Sequence, residues 1–310
     1  MNDLCAVIDL GSNSFRLLLA EQRNGGELLV HELIKEKVQL LSGFKNGRLA
    51  RAAVDRGLDC LDRFAQRTAA VSARRIWVIG THALRTARNA SEVAKAVRNK
   101  LGVPLQLVSG EEEASLIFGG VAHSCSASPR ACKLVVDIGG GSTELAWGKG
   151  LRCTQPHSAP VGCVGLTDAY FSARQGDVAE AMRRARVHAR TVLDDALPNG
   201  SLPAAELVLG TSGTIESVQS VLSANGWDGE CITAAGLGRL RAALESGCWV
   251  PDLVMPGLRP ERVDIFPAGV ALLDAIFDKL GLPTMHYLPA SIQDGVLYRN
   301  VARTLASDPR

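Results

Sequence analysis

Two stretches 128 residues apart read almost as one phrase: LCAVIDLGSNSFRLLL at 4–19 and CKLVVDIGGGSTELAW at 132–147. Placing Asp9 on Asp137 also superposes Gly11 on Gly139, Ser14 on Ser142 and Leu17 on Leu145. Each copy is an apolar run ending in Asp, a turn of small residues and a second run, which spells a β-hairpin. Two unrelated hairpins would share glycine and serine in their turns. They would not share an acid at the end of both apolar strands, because burying a carboxylate is costly unless something binds it. Repetition on this scale predicts two related halves, each built around the same hairpin. Small residues let the turn approach a ligand closely, and successive N–H groups form an anion-binding nest. An Asp beside such a nest repels bare phosphate, and a divalent cation or a bridging water reconciles the two. Two such hairpins describe two related α/β domains facing each other across a cleft, with the anion held between the turns.

Length agrees with the repeat, since 310 residues exceed what one ordinary core fills. The small, polar stretch from Ser124 to Lys133 is the expected boundary, giving domains 1–125 and 126–310. The last helix, near 291–305, is one that could pack back on the first domain. A composition of 46% apolar and 21% charged residues is that of a soluble globular chain. No apolar run reaches the ~20 residues that a membrane span needs, so no membrane partner is expected. A formal net charge of +2 excludes a strongly basic nucleic-acid binder. Eight cysteines, none in a Cys-x-x-Cys pair, match no zinc spacing and read as reduced thiols. With no basic-then-apolar leader at the start, a cytoplasmic location is expected.

Periodicity and breakers predict strands at 76–80, 103–108 and 206–209. Helices are predicted over 51–71, 90–101, 111–123, 176–196, 234–246, 267–280 and 291–305, with stops at Gly102, at Leu197 to Gly200 and at Gly281. Gly210-Thr211-Ser212-Gly213-Thr214 follows a strand and opens a helix, where free N–H groups suit phosphate. Thr81 and Arg85 follow the strand ending at Gly80, and an i, i+4 spacing puts both on one face of a helical turn. Arg16 in the first hairpin occupies the position that Glu144 holds in the second, a contrast that suits a phosphate and Mg²⁺ pair. In Ser109-Gly110-Glu111-Glu112-Glu113-Ala114, successive helical residues turn by ~100°, so one or two glutamates at most face a cleft. The residues alone leave open which of them activates a water, or whether all three simply favour the helix dipole.

Taken in order, DLGSNSF at 9–15, GTHALRTARN at 80–89, SGEEEA at 109–114, DIGGGSTEL at 137–145 and GTSGT at 210–214 resemble the exopolyphosphatase / guanosine pentaphosphate phosphohydrolase family. PGLRPERVDIFPAG at 256–269 and DGVLY at 294–298 extend the likeness almost end to end. The resemblance implies the short two-domain form of an actin-like (ribonuclease H-like) fold, shared with sugar kinases, acetate kinases and heat-shock ATPases. It implies Glu113, just before the Ala of its segment, as catalytic base with Arg85 beside it, and Asp137 and Glu144 at a Mg²⁺ site. Phosphate contacts are implied for Asp9, Gly11, Ser12, Asn13, Ser14, Arg16 and Thr81, for Gly139, Gly140, Gly141 and Ser142, and for Gly210, Ser212, Gly213 and Thr214.

The implied reaction is release of orthophosphate from inorganic polyphosphate, with guanosine pentaphosphate as the alternative substrate. A homodimer is expected. A kinase or heat-shock-type ATPase shares the hairpins but would need an adenosine pocket and a phosphoryl acceptor. Gln293-Asp294-Gly295 stands where the family often has Arg-Glu-Gly, so one phosphate contact is expected to be missing. Gly165 is assigned no role. Longer relatives carry further C-terminal helical domains. Their absence before the end at Arg310 argues against strong processivity on very long chains, unless a dimer supplies the surface.

Overall fold

The structure, a computed structural model, describes residues 4–23, 27–125, 130–172, 177–198, 202–247 and 253–307. The chain forms two compact units, Met1–Gly120 with Ile292–Arg310, and Val121–Ser291. In the first unit β1 (Leu4–Leu10), β2 (Ser14–Gln22) and β3 (Leu28–Lys37) form an antiparallel run. Helix α1 (Arg51–Arg67) leads to β4 (Ile76–Gly80), which lies parallel to β1. Short α2 (His82–Thr86) and α3 (Ala90–Leu101) precede β5 (Leu105–Leu107), parallel to β4, and then α4 (Gly110–Ser124). The sheet order is β3-β2-β1-β4-β5. Strand β1 is buried along almost its whole length, which is why its sequence is a continuous apolar run rather than an alternating one.

The second unit repeats the plan. Strands β6 (Cys132–Ile138), β7 (Thr143–Lys149) and β8 (Arg152–Ala159) form its antiparallel run. Then come α5 (Cys163–Tyr170), α6 (Val178–Ala196), β9 (Leu207–Thr211), α7 (Ser212–Ala224), β10 (Ile232–Thr233), α8 (Ala234–Glu245), α9 (Phe266–Leu280) and β11 (Thr284–Tyr287). Read from the outer antiparallel strand, the order β8-β7-β6-β9-β11 matches β3-β2-β1-β4-β5, with β10 added at the far edge. The register repeats too: Asp9 stands opposite Arg16, and Asp137 opposite Glu144. The 128-residue repeat is therefore a repeat of topology and pairing, and the expected α/β class holds in each unit.

Several boundaries differ from expectation for local reasons. Helix α1 stops at Arg67, because Thr68 turns its hydroxyl and its amide back onto the Phe64 carbonyl. Gly102 in the left-handed conformation and Pro104 shorten β5 to three residues. The hairpins carry third strands at the sheet edges, charged β3 and polar β8, whose sequences hide the apolar signal. Helix α10 (Ile292–Ser307), numbered by sequence with domain 126–310 but allowed there to pack back on the first domain, groups with the first unit. The division falls within α4, at Gly120, rather than at the polar stretch after Ser124. Of that stretch, residues 126–129 lie outside the described residues, as do Asn199 and Gly200 of the predicted helix stop, and Cys248.

Helix α9 is the axis of the second core, buried at every position from Phe266 to Phe277, as an all-round apolar helix must be. Its one buried charge, Asp274, is 9% exposed and accepts from Arg186 Nε of α6 at 2.7 Å and from Arg241 Nη1 of α8 at 2.9 Å. One carboxylate thus ties three helices. Replacing Asp274 by Ala leaves two partly buried guanidinium groups without it, and should cost about 3 kcal/mol of stability. Urea denaturation of D274A against wild type measures this, and D274N should lie between them.

Candidate active site

In the first unit the carboxyl ends of parallel strands β1, β4 and β5 stand side by side, with Leu10 opposite Gly80 and Gly80 opposite Leu107. The segments that follow them, Gly11–Ser14, Thr81–Arg85 and Ser109–Glu113, therefore gather at one sheet edge, where α/β folds bind ligands. The carbonyls of the first turn are spoken for. Ser12 O accepts from Leu41 N at 3.2 Å, and Asn13 O from Val38 N and Gln39 N at 3.1 and 2.8 Å. A trans peptide points its N–H opposite to its C=O, so the amides of Asn13 and Ser14 face away from that segment. Gly11 hugs the turn: a Cβ there would stand 2.8 Å from Ser14 O. Asp9 and Thr81 are buried, and the buried Ser12 hydroxyl has no hydrogen-bond partner among the described residues.

The structure separates the three glutamates. Ser109 Oγ accepts from Glu112 N at 3.1 Å, half of a capping box that sets where α4 begins. Glu111 is exposed. Glu112 is half-buried and accepts from Arg299 Nη1 of α10 at 2.8 Å. Glu113, 7% exposed, accepts from Arg85 Nη1 at 3.0 Å, while the same nitrogen reaches Val108 O at 2.8 Å. Arg85 N donates to Thr81 O at 2.9 Å, which closes the single turn of α2 and aims the guanidinium. His82 lies in that turn. Burial first, and the nearby Arg85 charge second, push its pKa down to about 4.

The second unit gathers the ends of β6, β9 and β11 in the same way, with Asp137 opposite Thr211 and Gly210 opposite Tyr287. Here the turn carbonyls cap a helix. Gly139 O and Gly140 O accept from Cys163 N and Val164 N at 3.0 and 2.9 Å, the first amides of α5. The Gly140 and Gly141 amides therefore point away from α5. Gly162 makes this possible, since a Cβ there would lie 2.5 Å from Gly140 C and O and from Gly141 N. Sequence reasoning passed over Gly162; its only signal is a glycine immediately before a helix in PVGCV. Gly139 N donates to Ser142 O at 2.9 Å and closes the hairpin, and Ser142 is buried.

At the third segment, Ser212 has φ of +83°, a left-handed conformation uncommon outside glycine. Its hydroxyl is buried with no hydrogen-bond partner among the described residues. Strain of about 1–3 kcal/mol at a strand-to-helix junction is characteristic of ligand loops. Thr211 donates its hydroxyl to Ala290 O, which fastens the junction. Thr214 donates its hydroxyl to Ile138 O at 3.3 Å, so that side chain braces the end of β6. Gly210 receives Leu288 N at its carbonyl, and Gly213 receives the Ser217 hydroxyl.

The two hairpins differ in charge at one register position. Asp9 faces Arg16, a pair of opposite sign, whereas Asp137 faces Glu144, 2% exposed, a pair of like sign. Like charges directly opposite destabilise a sheet unless a cation lies beside them. Ser158 Oγ donates to Glu144 Oε1 at 2.9 Å, which fixes one oxygen. Hard carboxylate oxygens suit Mg²⁺, which takes one or two carboxylates and completes its shell with water and phosphate. No group of three or more His, Cys, Asp or Glu side chains placed to hold a metal occurs among the described residues.

The model of the Ppx/GppA phosphatase family matches residues 18–304. Among solved structures, the PPX-GPPA enzyme of Aquifex aeolicus is 22% identical with a TM-score of 0.74, covering 96% of this chain and 99% of that one. An exopolyphosphatase from Cytophaga hutchinsonii is 23% identical with a TM-score of 0.82, covering 97% and 98%. An exopolyphosphatase-like protein is 22% identical with a TM-score of 0.83, covering 97% and 99%. At such identities the likeness speaks for the fold, two mixed sheets with flanking helices.

Two outcomes follow from this geometry. Gly162→Ala should push Gly140 and Gly141 aside and weaken pyrophosphate binding at least about tenfold. Gly165→Ala, whose Cβ meets nothing within 4 Å, should leave binding unchanged, and isothermal titration compares the two. His82 takes up its proton in the unfolded chain at its usual pKa but in the folded chain only near 4. Its contribution to stability is present above about pH 6.5 and is lost as pH falls towards 4. Denaturant midpoints measured between pH 7 and 4 should fall less steeply in H82Q than in wild type.

Proposed function

This chain belongs to the Ppx/GppA phosphatase family and is a phosphoanhydride hydrolase, and from that premise we propose that it cleaves the terminal anhydride of inorganic polyphosphate and releases orthophosphate. The observation that carries the reading is the buried pair of Glu113 and Arg85 at the sheet edge where the Gly11–Ser14 turn also ends. Glu113 would accept a proton from the attacking water as its oxygen bonds to the terminal phosphorus. The bridging P–O bond then breaks, and the shortened chain leaves with the bridging oxygen. Arg85 lies within reach of both the carboxylate and any phosphate that approaches it, so it would offset charge developing on the transferring group.

In the same proposal the Asn13 and Ser14 amides, Arg16 and Thr81 contact phosphate oxygens in the first unit. The Gly140 and Gly141 amides, with the Ser212 junction, do so in the second. Asp137 and Glu144 would hold Mg²⁺, which when bound neutralises phosphate oxygens and eases departure of the leaving group. Guanosine pentaphosphate ends in the same anhydride, and parallel kinetics on the two substrates decide between them. A cytoplasmic homodimer belongs to this reading. No helix among the described residues is long and apolar enough to cross a membrane.

Glu113→Ala should lower orthophosphate release by on the order of 10²–10⁴ while folding normally, and chelation of divalent ions should abolish it. Near-wild-type release by E113A, measured with Mg²⁺ across polyphosphate lengths, would remove Glu113 from the role of base.

A further inference from the structure

Helix α10 follows the second unit in sequence but belongs to the first, where it packs on β1 and meets α4. Two contacts mark the line between them. Gly295 comes so close to α4 that an added Cβ would stand 1.9 Å from the Leu116 carbonyl oxygen. One turn further along α10 and one turn back along α4, Arg299 Nη1 meets Glu112 Oε1 at 2.8 Å. Residues 295 with 116 and 299 with 112 advance in opposite senses, so the helices run antiparallel, with both contacts on one face of each. At its start α10 is fastened to β1, where buried Gln293 donates from Nε2 to Val7 O at 2.7 Å. Helix α10 thus braces the strand that ends in Asp9 and the Gly11–Ser14 turn against the helix that presents Glu113.

We propose that Arg299 is a positioning residue for hydrolysis: through Glu112 it fixes the rotation of the first turn of α4, and with it the direction in which Glu113 is presented. The proposal rests on Glu113 being the base. Side-chain tips on a helix lie about 5–6 Å from its axis, so a rotation of roughly 20° swings a carboxylate by about 2 Å. Misplacement by ~1 Å can already cost about 10² in rate. Arg85 is not dedicated to this turn, because the nitrogen that meets Glu113 also reaches Val108 O at 2.8 Å. The Arg299–Glu112 pair does not depend on substrate. Its side chains are 25% and 35% exposed, so its worth to global stability is small and its value lies in orientation. Gln293 fits the same picture. It stands where the resembling family often has arginine, and its amide anchors α10 to β1.

Steady-state kinetics on polyphosphate with Mg²⁺, together with melting temperatures, test the assignment on wild type, R299M, R299K, E112Q, R299M/E112Q and E113A. R299M and E112Q should each lower kcat about tenfold or more, with KM changed less than about twofold. The double variant should be no worse than the more impaired single, because both remove one link. R299K should recover part of kcat. Wild-type kcat in R299M, or a lowered melting temperature with kcat intact, overturns the positioning role and leaves an ordinary ion pair. Additive losses in the double variant overturn it as well. Should R299M fail to fold, the near-isosteric E112Q carries the same comparison. Retained turnover in E113A would overturn the base itself. An inactive E113A beside a fully active R299M would overturn only Arg299.

Discussion

A trans peptide cannot aim its carbonyl and its N–H in one direction, and both hairpin turns are organised by that fact. In the first unit, residues 38–41 donate to the carbonyls of Ser12 and Asn13; in the second, the opening amides of α5 donate to those of Gly139 and Gly140. Different segments do the fastening, but each takes hold of consecutive carbonyls and turns the following amides outward. The neighbouring structure depends on it. Gly162 must lack a side chain so that α5 can reach the second turn, and the residues after β3 must fold back against the first. A nest whose amides are already turned outward in this way would leave little reorganisation for the phosphate binding proposed here.

On this common frame the two units carry opposite charge logic. The first hairpin supplies its own cation, Arg16 opposite Asp9, and its sheet edge adds Arg85. The second places Glu144 opposite Asp137, a pair of like sign. A net charge of only +2 does not stand against the polyanion proposed as substrate, because oriented amides and a few arginines would act locally where an excess of basic residues would act diffusely.

Much of this was legible in the residues themselves. Buried central strands show as apolar runs, and Asp9 and Asp137 stood out because a carboxylate there needs a reason. Helix α4 was legible from Ser109 and its glutamates, and α9 from its unbroken apolar stretch. What stayed hidden has physical causes. Strands β3 and β8 are edge strands, charged and polar respectively, so hydropathy does not mark them. That α10 could return to the first unit was legible, but not how it is fastened there, through the Gln293 amide on Val7 O and the missing Cβ of Gly295; no period reports either. Gly162 is silent for the same reason, and the positive φ of Ser212 is a conformation that its residue type argues against.

The glutamate triplet shows why residues alone left its members equivalent. All three favour the positive end of the helix dipole, and that local reason is sufficient for each. Tertiary partners then tell them apart. Rotation by ~100° per residue sends Glu111 to solvent, Glu112 to Arg299 and Glu113 to Arg85. The arginine that holds Glu112 comes from nearly the far end of the sequence, and the one that holds Glu113 from the turn after β4. The arginine that meets Glu113 is shared with the Val108 carbonyl, so anything that draws Arg85 away also alters the carboxylate. In the proposed reaction phosphate would be such a competitor, so substrate binding and water activation would be coupled through one side chain, Arg85, while the rotation of α4 that keeps this coupling productive would be set from elsewhere, by α10 through Arg299 and Glu112.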